Sequence, residues 1–222
     1  MRKYYEAYDD RYRQVHAHDL CWAAREPSPI VMEVIRKLEI SPQAQILEIG
    51  CGEGRDAIHL LAKGYDLTAT DISPEAIRFC REQDPCHEAH YQVFDCIGGE
   101  LPRKFDFIYA VAVIHMLVEP EDRLAFYRSI GKHLKETGKA LVCSMGDGTE
   151  ARSSDIRTAF DLQSRRHGET GQELQLAGTS CCMVKWDTFL EEIRESGLKV
   201  SESGLTAVEP DFPVMMYAVL EK

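Results

Sequence analysis

The chain predicts an α/β fold in which a doubly wound, mostly parallel sheet is covered by helices on both faces. Three observations point there. Short apolar segments alternate with amphipathic helical patterns as far as Ser144, as expected of strands joined by crossover helices. In ILEIGCGEGRDAIHLLAKGYDLTATDIS, residues 46–73, an apolar strand runs into a glycine-rich turn that opens a helix, and a second strand ends on an acid. The sequence then closes with two strands and no helix between them, which predicts an antiparallel pair at the sheet edge.

The elements follow in order. Tyr4, Tyr8 and Tyr12 fall on one face of an amino-terminal helix, a stripe read as packing. Strands are expected over 45–49, 65–70, 90–94, 105–110 and 139–144, each short and rich in β-branched, aromatic or aliphatic residues. The helix over 54–63 carries Ala57, Ile58, Leu61 and Ala62 at helical spacing and stops at Gly64. Ser73 and Pro74 supply a cap and a first-turn proline for the next helix. A further helix over 120–134 presents Leu124, Tyr127, Ile130 and Leu134 on one face. Residues 146–180 are polar and glycine-containing and read as an irregular insertion. In WDTFLEEIRESGLKV, Asp187 can cap a helix carrying Phe189, Leu190 and Ile193 that ends before Gly197. The closing strands, 198–206 and 214–220, are joined by a turn containing Pro210 and Pro213. One domain over 1–222 is expected: a helical cover (1–43), a core (44–145), an insertion (146–185), and a closing helix with edge strands (186–222).

Composition narrows the function. A chain of 222 residues with 44% hydrophobic content buries a full core and leaves little room for a second catalytic domain. The formal charge of -11, with no long basic block to offset it, repels a phosphate backbone, so no nucleic-acid partner is expected. No apolar run approaches the roughly 18 to 20 residues that span a bilayer, and MRKYYEAYDDRYR is too polar for a signal sequence. A cytoplasmic protein without a membrane partner is expected. The eight cysteines are scattered without a CxxC pair, which suits a reducing compartment. Cys86-His87 with His90, and the pair Cys181-Cys182, do not match zinc spacings, and no metal is expected.

The glycine turn carries the chemistry. Gly50, Gly52 and Gly54 let backbone approach a ligand where helix amides point outward. Residues 52–57, GEGRDA, fit GxGxxA, and Asp71 stands about twenty residues on, where an acid can hydrogen-bond ribose hydroxyls, so a dinucleotide is one reading. Charge points to another. Glu48 ends the first strand and Glu53 and Asp56 flank the turn, so a pyrophosphate would meet carboxylates, whereas a sulfonium and an ammonium would be attracted.

These residues resemble the class I S-adenosylmethionine-dependent methyltransferases. ILEIGCGEG is similar to the family's E/DxGxGxG motif, DIS with Asp71 to its second-strand acid, FDC with Asp95 to its third-strand acid, and FDFIYAVAVIHML to its fourth strand and following loop. The resemblance implies a Rossmann-like seven-stranded sheet with an antiparallel last strand, and S-adenosyl-L-methionine as cofactor. It also implies that Glu48, Gly50, Cys51 and Gly52 surround the methionyl part, with backbone of Ala110 and Val111 at the same end. Asp71 would hold the ribose hydroxyls, Ile72 would pack on adenine, and Asp95, with Cys96 alongside, would accept a hydrogen bond from the adenine amine. His115, within IHML, is the candidate general base, with an unperturbed pKa near 6.5, or else a packing residue of the cofactor loop.

A small-molecule acceptor is expected, bound by segments outside the core. Tyr4, Tyr8, Tyr12, His16 and Trp22 form an aromatic cover in this reading, and Arg152, Arg157, Arg165 and Arg166 either bind an acidic acceptor or are solvated surface. The segment GCGEGRDAIHLLAKGYDLTATD also resembles tellurite-resistance and thiol methyltransferases, which makes sulfur or a chalcogen a named alternative. An NAD-binding redox protein and a non-catalytic cofactor-binding module are the rival classes.

Overall fold

The computed structural model describes residues 2–168 and 170–222. A 3-10 turn (Tyr4–Glu6) leads into α1 (Ala7–His16), and α2 (Pro29–Lys37) precedes the core. The core runs β1 (Ile46–Ile49), α3 (Arg55–Ala62), β2 (Leu67–Asp71), α4 (Pro74–Gln83), β3 (Tyr91–Val93), β4 (Phe105–Val111), α5 (Pro120–His133) and β5 (Leu134–Met145). Short strands β6 (Arg152–Ser153), β7 (Leu162–Arg166), β8 (Glu173–Ala177) and β9 (Cys182–Met183) follow, then α6 (Trp186–Glu195), β10 (Lys199–Val208) and β11 (Phe212–Glu221).

Seven strands form one sheet in the order β10-β11-β5-β4-β1-β2-β3. The pairings from β3 through β5 are parallel, while β11 runs antiparallel to both β5 and β10. The expected doubly wound sheet with an antiparallel last strand is therefore present. Its closing pair is ordered inside out: β11 lies within the sheet and β10 takes the edge. β1 and β2 are buried at every position, as strands covered on both faces must be. One face packs Val31, Val34, Leu60 and Ile77 of α2, α3 and α4 against Ile46 and Tyr109. The other packs Phe126, Ile130, Phe189 and Ile193 of α5 and α6 against Leu47 and Ile108.

Local chemistry sets the element ends. Ser73 Oγ accepts the Ala76 N–H at 3.0 Å and caps α4 as expected. α6 differs: Lys185 occupies the cap position and Asp187 lies in the first turn, favourable to the helix dipole. Pro213 is inside β11 rather than in the turn. β5 begins at Leu134, earlier than expected, with a register shift against β4 between Phe105 and Phe107. The insertion is not irregular. β7 pairs with β8, and β6 with β9, in antiparallel ladders. β7 escapes sequence patterning because its residues are mostly exposed, Leu162 by 61%.

A buried ion pair ties α5 and α6 to the loop after β4. Arg123 of α5 meets Glu192 of α6 at 2.7 Å and donates to the carbonyls of Leu117 and Val118 at 3.1 and 2.6 Å. Removing one member of such a pair strands the other without compensation, at about 3 to 5 kcal/mol. Arg123→Met is therefore expected to lower unfolding free energy by about that amount in urea titration. A loss below about 1 kcal/mol would mean that Glu192 finds solvent instead.

Candidate cofactor and acceptor site

The glycine turn is built against the loop after β4. Gly50 has φ 75°, and a Cβ placed there would lie 2.3 Å from Val113 Cγ2, so no larger residue fits without displacing that loop. The amides of Gly50 and Cys51 both donate to the Thr70 carbonyl, at 2.7 and 2.8 Å, which clips the turn to β2. Asp71, the last residue of β2, completes the brace: its Oδ2 accepts the Gly52 N–H at 2.9 Å and its Oδ1 the Ser73 N–H at 2.8 Å. Burial raises the Asp71 carboxyl above its ordinary pKa, and those two backbone bonds oppose the rise.

A cavity with about 580 Å³ of empty space, part of it open to solvent, lies over this turn. Gly50, Asp71, Ile72, Asp95 and Cys96, all expected in the site, line its floor, together with Ile49, Phe94 and Ile97. Val113, Met116 and Leu117 form one wall and Tyr5, Tyr8 and Tyr12 the roof. Asp95 Oδ1 accepts the Ile97 N–H at 2.9 Å, which fixes the carboxylate at the cavity edge.

The other expected residues stand off the cavity. Glu48 shares a sheet face with Ile46, turned toward α3, and among the described residues its Oε2 has no hydrogen-bond partner. Burial and the nearby charge of Asp56 push its carboxyl well above the usual range. Cys51 packs in the core beside Cys80, whose thiol, with burial, pushes the Cys51 thiol up. Gly52 is beneath the roof: a Cβ there would lie 2.8 Å from the Tyr12 hydroxyl oxygen. Ala110 and Val111 are buried in the two cores on opposite faces of the sheet.

His115 is also outside the cavity wall. It lies in a 3-10 turn, Ile114–Met116, where successive side chains rotate by about a third of a turn, so Met116 faces the cavity and His115 does not. Its ring sits 5.5 Å from that of Phe212, and among the described residues its Nδ1 has no hydrogen-bond partner. Burial takes the imidazole down to about 4.

The acids around the turn serve the amino-terminal segment rather than a ligand. Glu53 accepts the Trp22 and Ala23 N–H groups, both at 2.8 Å, and meets His16 at 2.9 Å. Asp56 accepts the Ser28 N–H at 2.6 Å and its hydroxyl at 2.7 Å. The tyrosine stripe is displaced as well. Tyr4 belongs to the opening 3-10 turn and points away, donating to Asp122 at 2.8 Å, while Tyr5 takes the inward place. The helical spacing assumed for Tyr4 does not extend through that turn, which is why Tyr5 was not legible. Of the insertion arginines, Arg157 pairs with Asp155 on the surface, and Arg165 and Arg166 donate to Gln163 and the Gly171 carbonyl.

Residues 47–140 match a family model described as a methyltransferase domain. In sequence and in fold the chain is similar to class I S-adenosylmethionine-dependent methyltransferases. It is similar to phosphoethanolamine N-methyltransferase 1 of Zea mays, at 27% identity over 73% of this chain and 34% of that protein. It is also similar to a probable S-adenosyl-L-methionine-dependent methyltransferase, TehB, of Haemophilus influenzae, at 24% over 50% of this chain and 39% of the other. The ubiquinone biosynthesis O-methyltransferase of Xanthomonas campestris shares 26% over 53% and 50%. The chain thus spans about a third to a half of the length of these curated relatives. Among solved structures, the glycopeptide N-methyltransferase MtfA complexed with sinefungin superposes with a TM-score of 0.66 at 19% identity, covering 89% of this chain and 87% of that one. Among the described residues no helix is long and apolar enough to cross a membrane.

The burial of His115 gives a pH signature. Its folded pKa of about 4 lies below the unfolded value near 6.5, so the unfolded chain binds the proton first, and stability falls as pH drops through that interval. The loss is expected to reach about 3 kcal/mol, and His115→Leu should remove that part of the pH slope in denaturant titrations. An imidazole resonance titrating near 6.5 by NMR would contradict this burial.

Proposed function

We propose that this chain is a methyltransferase that binds S-adenosylmethionine over the glycine turn and transfers its methyl group to a small-molecule acceptor. The observation that carries the reading is the braced Asp71 at the floor of a cavity roofed by tyrosines. Each Asp71 oxygen already accepts one backbone N–H, and a carboxylate oxygen has capacity for a second donor, so the pair can take two vicinal ribose hydroxyls without disturbing the turn. Ile72, Phe94 and Leu117 offer apolar surface for a purine, with the Asp95 carboxylate at its edge for an amine donor. Gly50 would meet the methionyl part. For Glu48, Cys51, Gly52, Ala110 and Val111 the reading leaves only support of the turn and the adjoining strands.

The bound cofactor supplies a methyl group already activated on a sulfonium. What remains for the protein is orientation and exclusion of water, and a near-attack arrangement alone contributes roughly 7 to 11 kcal/mol. Tyr5, Tyr8 and Tyr12 close the roof, and burial raises all three phenols, so they are neutral and do not act as bases near pH 7. With His115 turned away, positioning rather than proton removal is the main source of rate. A wall of that kind favours acceptors that are nucleophilic without a strong base, which gives the thiol or chalcogen alternative a specific observation in its support. A dinucleotide fits less well, because Glu53 stands beside the amino end of α3 where a pyrophosphate would lie. We read the protein as cytoplasmic, with the cover, core, insertion and closing strands forming one domain.

Two measurements test the reading. Asp71→Ala should weaken S-adenosylmethionine binding at least about tenfold in calorimetry, since charge-assisted hydrogen bonds are worth roughly 1.5 to 3 kcal/mol each. Unchanged affinity in a folded variant would remove Asp71 from the site. Transfer of labelled methyl from the cofactor into a metabolite extract should mark a small molecule; label found only in protein or nucleic acid would overturn the acceptor class.

A further inference from the structure

His16 is held in a way that the cofactor reading does not require. Its Nδ1 lies 2.8 Å from Glu75 Oε1 and its Nε2 2.9 Å from Glu53 Oε1. A neutral imidazole has one N–H and can donate to only one of these carboxylates; both bonds form when the ring carries both protons. The ring stacks on Phe79 at 4.3 Å, with the Tyr12 ring 6.0 Å away and inclined by 30°. The three ionisable side chains are almost shut from water, at 6% exposure for His16, 6% for Glu53 and 9% for Glu75.

Charged groups on three elements bear on the ring. On α4, Arg78 donates to Glu75 at 2.6 and 3.0 Å and holds its carboxyl below the usual range. On α1, Asp9 accepts the Ser73 hydroxyl at 2.6 Å and the Glu75 N–H at 3.0 Å, and pairs with Arg13 at 2.8 Å. In the glycine turn, Glu53 also holds the Trp22 and Ala23 amides. Burial works against a charge on His16, but the two carboxylates outweigh it and hold the imidazole above its ordinary pKa.

The connectivity gives this pair of contacts a purpose. His16 is the last residue of α1, the helix that carries the roof residues Tyr8 and Tyr12. Glu53 belongs to the glycine turn, and Glu75 to the first turn of α4, just after Asp71 and Ser73. One ring therefore fastens the roof to both backbone segments that bound the cofactor floor. The geometry points to His16 as a positioning residue: its imidazolium seats α1 over the cavity, so that cofactor retention declines as His16 loses its proton. This rests on the cofactor reading given above. Because the folded pKa lies above the unfolded value near 6.5, the seating is complete below about pH 6.5 and is lost as pH rises through the folded value.

The test compares wild type, His16→Gln and Glu75→Gln across about pH 6 to 9 by two readouts. Amide hydrogen exchange over residues 7–16, corrected for intrinsic rate, is followed in the ligand-free protein, and the affinity for S-adenosylhomocysteine is measured by calorimetry. In wild type both protection and affinity should fall, by about tenfold or more, toward high pH. His16→Gln should already be weak at low pH and nearly flat, and Glu75→Gln, which keeps the ring and one partner, should show a reduced span. Identical protection, affinity and slope in His16→Gln and wild type would overturn the proposal. Binding of S-adenosylhomocysteine with pH-independent protection of α1 would overturn the seating alone. Failure of wild type to bind at any pH would overturn the retention claim together with the cofactor reading, leaving the exchange data to decide the seating.

Discussion

The carboxylate of Asp71 is the interaction on which the geometry of the cavity rests. It takes one amide from the glycine turn and one from the start of α4, so the two segments that converge at the carboxyl ends of β1 and β2 are held at a fixed separation. Without it, the half-buried Gly52 N–H and the buried Ser73 N–H would both lose their partner, at a cost to the turn. The sheet supplies the reason that such a brace is possible. β1 has β2 on one side and β4 on the other, and the chain winds away in opposite directions from that point, which opens a crevice above the strand ends.

Over the crevice, two segments remote in sequence act as one roof. Val15 of α1 packs with Leu174 and Leu176 of β8 in a small core of its own. Arg11, buried in the same place, donates to the carbonyls of Ala177 and Gly178, at 2.9 and 2.8 Å through its Nη2, and lies over the Trp22 ring at 4.6 Å. Gln14 accepts the Ala177 N–H, and Tyr8 donates to the Ser180 carbonyl at 2.8 Å. The insertion is thus no separate flap: its hairpin backs the helix that carries the tyrosines. Any movement that opens the cavity carries both pieces, or else breaks the bonds of a buried guanidinium.

The sequence made the central sheet legible because buried parallel strands leave an unmistakable mark, runs such as ILEI and FDFIYAV bounded by turns. The glycine turn and Asp71 were legible for a related reason, since close backbone approach restricts residue type locally. What escaped was everything decided by contacts across long separations. Glu53 and Asp56 look like counter-charges for a ligand until Trp22, Ala23 and Ser28 are seen to occupy them. Tyr4 and Tyr5 are neighbours whose roles are exchanged by a short 3-10 turn. His115 has the chemistry of a base, but the same kind of turn rotates it into the protein. β7 carried little apolar alternation because its residues mostly face solvent, whereas β8, with Leu174 and Leu176 alternating inward, lies in an otherwise polar stretch.

The placement of β11 has a consequence for the order in which the molecule can be completed. β10 reaches the sheet only through β11, which pairs with β5 on one side and β10 on the other. During synthesis, a ribosome that has released the chain as far as β10 leaves β5 with an open edge of unpaired backbone N–H and C=O groups, at Leu141 and Val142 among others, until residues 212–221 emerge. For that interval the nascent sheet is a template for any passing strand. Residues 212–221 therefore do two things at once, closing the bare flank of β5 and bringing β10 into the sheet.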